Sequence, residues 1–393
     1  MGRVLSVCMG LVLAVVATGA AGCGQERDAA DDARRSIVAT TGMIGDVARQ
    51  VGGERVHVSV LMGPGVDPHL FNPTRGDVLA LQDADVVLYN GLLLEGRMVD
   101  TLASLQQAPR AGRITADAAV EGNDLHATIE LDRPLHVEDL RVEPRGASLR
   151  ITARLVRPVH AVAERVDPQR RLAPTEYEGA YDPHLWMDVA AWAETVDVVA
   201  DVLADLDPDH ESEFRANAEA YRAELEELDD YVRQVIASIP DDQRVLVTAH
   251  DAFNYFGRAY DIEVRGVYGM STESEAGVRE LNRLVDYVID RSVPAAFAES
   301  TVDDRAVLSL LAGATRRGHA MVLGGELFSD AMGPRDAYEG TYVGMIDHNA
   351  TTIALALGGE APEGGFRGRL TMIEPPVPAE EVEGVEEAGE VFE

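Results

Sequence analysis

The feature that most constrains the fold is a long stretch, residues 207–239, in which apolar side chains recur every three or four positions. This spacing places them on one face of a helix, with acidic residues and arginines between them. Asp207 is a favourable N-cap, Pro208 suits the first helical position, and Pro240 stops the helix. At about 1.5 Å per residue such a helix extends roughly 45 Å, which is long for one small domain. The stretch therefore predicts a helix that connects two lobes; the alternative is a long surface helix or a coiled-coil segment on one domain.

Strand and helix patterns alternate on both sides of this stretch. Before it, β-branched runs alternate with amphipathic segments, and after it the runs RVLVTAH, AAFAES and AMVLGGELFS are separated by helical patterns. Such alternation is typical of parallel sheets covered by helices. We therefore predict an α/β fold with two lobes, each a parallel sheet flanked by helices, joined by one long rigid helix. The N-terminal lobe is predicted at residues 36–206, the linking helix at 207–239 and the C-terminal lobe at 240–357.

Two segments depart from this alternation. Residues 125–180 include alternating patterns on both sides of the sequence PRGA, which predicts a β-hairpin inserted in the first lobe. Residues 358–393 are rich in Gly, Pro and Glu, a composition that predicts an acidic and mostly disordered tail.

The N-terminus has the features of an export signal. One arginine precedes an apolar run at residues 4–17, and small residues follow as far as Cys23. The ending AAGC resembles the lipobox of bacterial lipoproteins, in which the cysteine carries lipid. We predict a signal peptide at residues 1–22, a lipid anchor on Cys23 and a polar tether at 23–35. The folded part is then extracytoplasmic, in the periplasm or at the cell surface; an uncleaved or unlipidated signal is the alternative.

Charge and cysteine usage limit the ligands that the chain can bind. Acidic residues outnumber basic residues by 68 to 34, and every basic residue is arginine. Because phosphate binding needs a cationic face, we expect no nucleic-acid partner. The two cysteines lie at positions 8 and 23, so the mature fold has no thiolate or disulfide. A bound metal would therefore be held by nitrogen and oxygen atoms.

Two histidines occur in the same local sequence. His69 and His184 each lie in an Asp-Pro-His-Leu turn, between a predicted strand and a helix. The proline makes the turn rigid, and a rigid turn holds an imidazole in one direction, as a preformed metal site requires. For a single copy of this turn, a hydrogen-bonded histidine without metal is the better interpretation; the second copy favours metal binding.

Two further candidates follow predicted strands of the second lobe. His250 and Asp330 are predicted at the carboxyl ends of parallel strands, where α/β sheets bind ligands. Together with the two turn histidines they provide three imidazoles and one carboxylate, a ligand set suited to Zn²⁺, Mn²⁺ or Fe²⁺. For the remaining histidines we predict structural or surface roles: His57, His126, His136, His160, His210, His319 and His348.

An ordered set of motifs resembles those of a known family. The motifs are GVDPHLFNPT, DPHLWMD, RVLVTAHDAFNYFGRAY, GMSTESEAGVREL, FAESTV, and GGELFSDAMG followed by GTYVGMIDHN. They are similar to the zinc- and manganese-binding solute-binding lipoproteins of bacterial ABC importers, in which one rigid helix joins two lobes. The resemblance implies that His69, His184, His250 and Asp330 bind the metal and that a membrane permease receives it.

Details of these motifs do not decide which metal is bound or which role Glu299 has. Zinc-specific members of the family often carry a histidine- and acid-rich loop before the second Asp-Pro-His, which this chain lacks, and some manganese-specific members have Glu in place of His250. Glu299 in FAESTV is a candidate hydrogen-bond acceptor for a ligand imidazole. A surface or sheet-end carboxylate is the alternative for Glu299.

The function hypothesis is a lipid-tethered, monomeric receptor that captures one divalent ion, Zn²⁺ or Mn²⁺, between two lobes and delivers it to an ABC permease. We expect no catalysis, because four protein ligands complete a tetrahedron whereas catalytic zinc keeps an open position. The alternatives are a secreted zinc-dependent hydrolase, with Glu299 or Glu273 as base, and a surface adhesin.

Replacing Cys23 with serine is expected to release the protein from the membrane fraction, because the lipid acceptor is lost. Immunoblots of membrane and soluble fractions after a carbonate wash measure this, with Cys8→Ser as the matched control that stays attached. Retention of Cys23→Ser in washed membranes would contradict the lipoprotein prediction.

Overall fold

The computed structural model describes residues 34–107, 159–173, 181–273, 277–371, 373 and 375–388, and the strand backbones at 114–121, 124–131, 136–145 and 148–156. The elements before the long helix are β1 (Arg35–Ala39), α1 (Gly42–Gly52), β2 (Val56–Val60), α2 (Arg75–Asp83), β3 (Val86–Tyr89), α3 (Val99–Gln107), β4 (Ile114–Glu121), β5 (Asp124–Leu131), β6 (His136–Arg145), β7 (Ser148–Val156), β8 (Val159–Ala161) and α4 (Val189–Leu206). From the long helix onward they are α5 (Glu211–Ala237), β9 (Val245–Thr248), α6 (Asn254–Tyr260), β10 (Glu263–Gly266), α7 (Val278–Asp290), β11 (Ala295–Glu299), α8 (Arg305–Arg316), β12 (Val322–Leu327), α9 (Tyr342–Ala356), β13 (Val377–Pro378) and α10 (Val385–Ala388).

The two lobes each contain a sheet whose main strands are parallel. The N-terminal sheet has the order β2-β1-β3-β8, and the C-terminal sheet has the order β10-β9-β11-β12-β13. Only the short strand β13 is antiparallel to its neighbour among the paired strands of these two sheets. The predicted α/β class is therefore confirmed, and in both lobes the carboxyl ends of the parallel strands form the edge from which ligand-bearing loops leave. Neither β10 nor α9 was predicted from the sequence.

The helix α5 joins the lobes through a shared apolar core. It lies inside the predicted bounds 207–239, because the segment Pro208–His210 forms a separate 3₁₀ turn before it. One face of α5 is buried and contributes to a core cluster that extends from Ile37 in β1 to Leu357 after α9. The buried side chains of α5 are Phe214, Ala218, Tyr221, Leu225, Leu228, Val232, Val235 and Ile236. Since both lobes pack on this one face, α5 fixes their relative placement. No helix in the described part of the chain has the length and apolar character needed to cross a membrane.

The insert has different bounds from those predicted. Strands β4 and β5 form one antiparallel hairpin and β6 and β7 form another, so the insert extends over residues 114–156 and not 125–180. The strand β8 then pairs with β3 in the N-terminal sheet, which places His160 in the lobe and not in the insert. Three-residue β8 is too short to show an alternating pattern, and for this reason the sequence did not reveal where the lobe resumes.

The acidic tail is not disordered over the residues that the structure describes, and that prediction is wrong. Phe366 is buried against Tyr231 of α5, with ring centroids 5.4 Å apart, and Arg367 contacts Glu224 of the same helix at 2.9 Å. Farther along, β13 pairs with the edge strand β12, and Ala379 and Val385 are buried in the core of the C-terminal lobe. A few apolar residues of the tail pack against the folded lobes, although the average composition of the tail is polar. The average composition therefore suggested disorder. Pairing with β13 also covers part of an edge that would otherwise be exposed.

Truncating Phe366 to alanine is expected to destabilise the protein, because its ring is only 6% exposed and packs on the linking helix. Phe→Ala changes in a core cost about 3 kcal/mol or more, and the melting temperature should fall by several degrees. Val377→Ala in the same tail is the matched control, since Val377 is 38% exposed. Calorimetric melting of both variants makes the comparison, and equal melting temperatures for Phe366→Ala and the parent would show that the tail does not stabilise the fold.

Candidate metal-binding site

Four side chains from four different segments meet between the two lobes. His69 lies on the loop after β2, and His184 lies directly before the 3₁₀ turn Leu185–Met187 that leads to α4. His250 and Asp330 follow β9 and β12 in the C-terminal lobe. One ligand atom from each of the four residues lies within 4.8 Å of the others, so the group could hold a metal ion. These are the four residues that the sequence motifs predicted as metal ligands.

The distances centre on the Asp330 carboxylate. Its Oδ2 lies 3.3 Å from Nε2 of His250 and 3.7 Å from Nε2 of His69, while Oδ1 lies 3.4 Å from Nε2 of His184. The Nε2 atoms of His69 and His184 are 3.4 Å apart. Three imidazoles thus point the same ring nitrogen at one carboxylate. His184, His250 and Asp330 are at most 2% exposed, and His69 is 6% exposed.

The Asp-Pro-His turns are built in the same way in both copies. Asp67 accepts the backbone N–H of His69 at 2.8 Å, and Asp182 accepts that of His184 at 2.9 Å. A carboxylate that accepts a backbone N–H two residues later closes an Asx turn, while the proline between them fixes φ. The repeated motif therefore specifies a local geometry that presents each imidazole.

Two further carboxylates hold the far ring nitrogens. Oδ1 of Asp182 lies 2.8 Å from Nδ1 of His184, and Oε2 of Glu299 lies 2.6 Å from Nδ1 of His250. Glu299 also accepts the backbone N–H of His250 through Oε1, at 2.7 Å. Such contacts fix the tautomer and the ring orientation of a metal-binding histidine. Glu299 was predicted from the sequence as such an acceptor; Asp182 was not, although it is part of the repeated motif.

The Asp330 carboxylate has the chemistry of a cation ligand. Both of its oxygens are buried, and among the described residues no donor has the geometry of a hydrogen bond to either oxygen. A buried carboxylate without donors is costly unless a cation lies beside it. The donor set of three imidazoles and one carboxylate fits a divalent transition metal at this position.

Protons compete with a metal for these groups. Burial by itself lowers the pKa of His184, but the carboxylates of Asp182 and Asp330 outweigh it and raise that pKa to about 9. For His250 the desolvation is likewise outweighed, by Glu299 and Asp330, and the pKa is raised well above its ordinary value. Burial also opposes ionisation of Asp330, yet His250 and His184 hold its pKa well below the ordinary value. For His69, burial dominates and lowers the pKa.

The remaining histidines lie elsewhere. The Nε2 atom of His348 is 3.0 Å from the carbonyl of Glu326, and that of His319 is 2.8 Å from the carbonyl of Val293. These contacts are structural. His126 and His136 lie on insert strands whose side chains are outside the described residues.

Comparison with known proteins identifies the family. Residues 37–356 match the family described as zinc-uptake complex component A, periplasmic. The chain is 37% identical over 337 residues to the manganese-binding lipoprotein MntA of Bacillus subtilis, with 86% of this chain and 94% of that protein covered. It is 39% identical over 331 residues to the zinc-binding protein TroA of Treponema pallidum, with 84% and 91% covered.

The fold agrees with this comparison. The solved structure of the periplasmic zinc-binding protein TroA from Treponema pallidum aligns with a TM-score of 0.68 at 39% identity, covering 82% of this chain and 99% of that chain. The family match over residues 37–356 includes both lobes and all four residues of the group. The chain therefore belongs to the zinc-uptake complex component A family of periplasmic proteins.

Proposed function

We propose that this protein is an extracytoplasmic receptor, anchored by lipid on Cys23, that captures one divalent transition-metal ion and delivers it to the permease of an ABC importer. The observation that carries the proposal is the buried group of three imidazoles and one carboxylate between the lobes. In this proposal the metal ligands are His69, His184, His250 and Asp330. Delivery to a permease rests on membership of an uptake-complex family.

The donor set suits both Zn²⁺ and Mn²⁺. One relative is named for manganese and the other for zinc. Both oxygens of Asp330 face ring nitrogens, so the carboxylate can bind through one oxygen, as in tetrahedral zinc, or through two. A harder ion such as Mn²⁺ prefers more oxygen ligands, and the second oxygen would supply one. The cargo is therefore proposed as Zn²⁺ or Mn²⁺.

The surroundings of the site favour binding over hydrolysis. A metallohydrolase needs a carboxylate base that faces a metal-bound water. Both oxygens of Glu299 contact His250, and Glu273 pairs with Arg97 at 3.2 Å on the surface. Neither candidate base is available to a water on the metal, so we propose a binding protein without catalytic activity. In this proposal the receptor is a monomer, and one chain supplies the whole ligand set.

Alanine replacement of any one of the four ligands is expected to weaken metal binding. Residues that only orient a metal ligand typically contribute about 10- to 100-fold to metal affinity. Each alanine variant should lose at least as much affinity, because a direct bond to the metal is removed. Titration calorimetry with Zn²⁺ and with Mn²⁺ measures it, with His348→Ala as the matched control. Parental affinity in two of the four variants, or an equal loss of affinity in His348→Ala, would contradict the ligand assignment.

Metal affinity is expected to rise with pH up to about pH 9. The pKa of His184 is about 9, so this imidazole is protonated at neutral pH, and a metal must displace the proton before it can bind. The apparent affinity should therefore fall as pH decreases from 9 to 6. Calorimetry at pH 7 in two buffers with different ionisation enthalpies measures the protons released. Asp182→Asn should release fewer protons, because the carboxylate that favours the charged imidazole is gone; binding at pH 7 without proton release would contradict the prediction.

A further inference from the structure

The three imidazoles of the site are held in different ways. His184 and His250 each place Nδ1 beside a buried carboxylate. The described residues provide no such carboxylate partner for Nδ1 of His69, whose contacts with the group are made through Nε2. The position of the His69 ring therefore depends on the backbone turn that carries it.

That turn is held by the opposite lobe. Thr272 lies on the loop after β10 in the C-terminal lobe, within the motif GMSTESEAGVREL. Its hydroxyl donates a hydrogen bond to Oδ2 of Asp67 at 2.5 Å, while Oδ1 of Asp67 accepts the backbone N–H of His69. One carboxylate thus connects a side chain of the C-terminal lobe to the backbone of a candidate ligand in the N-terminal lobe.

A second contact across the lobes lies beside the first. Arg97 donates through Nη1 to the carbonyl of Leu70 at 3.2 Å and through Nε to Glu273 at 3.2 Å. The side chains of Arg97 and Glu273 are 40% and 53% exposed, and exposed ion pairs contribute little. The Thr272–Asp67 bond is half-buried and has a charged acceptor, which makes it the stronger of the two contacts.

We propose that Thr272 is a positioning residue for His69: through Asp67 it fixes the turn that presents the third imidazole to the metal. This inference rests on the proposed metal-binding function. His184 and Asp330 do not depend on this contact, because Trp186 donates Nε1–H to the carbonyl of Ser329 at 2.8 Å and ties their two segments together. His69, the most exposed of the four, is then the ligand whose position depends on this contact between the lobes.

The experiment compares Thr272→Val, which removes the hydroxyl at nearly constant volume, with Thr272→Ser, which keeps it. Zn²⁺ affinity is measured by calorimetry, and the Zn²⁺ dissociation rate by stopped-flow competition with a chelator. Thr272→Val should bind about 10-fold more weakly, mainly through faster dissociation, since partners that orient metal ligands typically contribute about 10- to 100-fold. Thr272→Ser and Glu273→Gln should each stay within about 2-fold of the parent.

A second measurement does not need metal. Hydrogen exchange of the peptide that contains residues 67–72 should be faster in metal-free Thr272→Val than in the parent and unchanged in Thr272→Ser, because only the first variant frees the turn. Thr272→Ala, which also lacks the hydroxyl, replaces Thr272→Val if the valine variant does not fold.

Parental affinity and exchange in Thr272→Val, or equal losses in Thr272→Val and Thr272→Ser, would overturn the positioning role. The variant His184→Ala separates this result from a failure of the proposed function. Weak binding by His184→Ala together with parental Thr272→Val overturns the positioning role alone. Parental binding by both His184→Ala and His250→Ala, two of the four ligand variants, overturns the metal site itself.

Discussion

The Asp330 carboxylate, buried between the lobes, is the group on which the site depends. Its charge needs a cation close by, and three imidazole nitrogens face it within 3.7 Å. The carboxylates of Asp182 and Glu299, together with Asp330, raise the pKa values of His184 and His250, so protons compete with a metal for the nitrogens that face Asp330. A divalent ion would replace those protons. In the proposed receptor, metal capture would therefore release protons from the imidazoles around this one carboxylate.

The scaffold holds this arrangement from both sides. The linking helix α5 buries one face in a core that belongs to both lobes, and the tail residue Phe366 packs against the same helix. Asp182 and Glu299 orient the two most deeply buried imidazoles. The third imidazole is carried by the turn in which Asp67 accepts from Thr272 of the opposite lobe, so its position depends on a contact between the lobes.

Local patterns predicted the parts of the molecule that local physics determines. The repeated Asp-Pro-His turn singled out His69 and His184, and the carboxyl ends of predicted strands singled out His250 and Asp330. The structure brings these four residues together, because strand direction decides which residues share an edge. The amphipathic period predicted α5. The alternation of strand and helix patterns on both sides of it predicted the two-lobe α/β fold. Asp182 could have been found from the motif, since an aspartate before Pro-His closes the turn.

Long-range packing was not predictable in the same way. Thr272 and Asp67 are 205 residues apart, and no spacing in the sequence indicates that their side chains meet. The tail was predicted to be disordered because its average composition is polar. That average hides a few buried apolar residues, such as Phe366 and Val385, whose partners belong to distant elements. The insert bounds were misplaced because the strands that frame them have weak or short patterns.

X-ray absorption at the metal edge of the loaded protein tests the central claim most directly. The account predicts one ion per chain bound by three imidazoles and one carboxylate, with metal–nitrogen distances of about 2.0–2.1 Å for zinc and no sulfur ligand. A first shell containing fewer than three imidazoles, or one completed mainly by water, would contradict it.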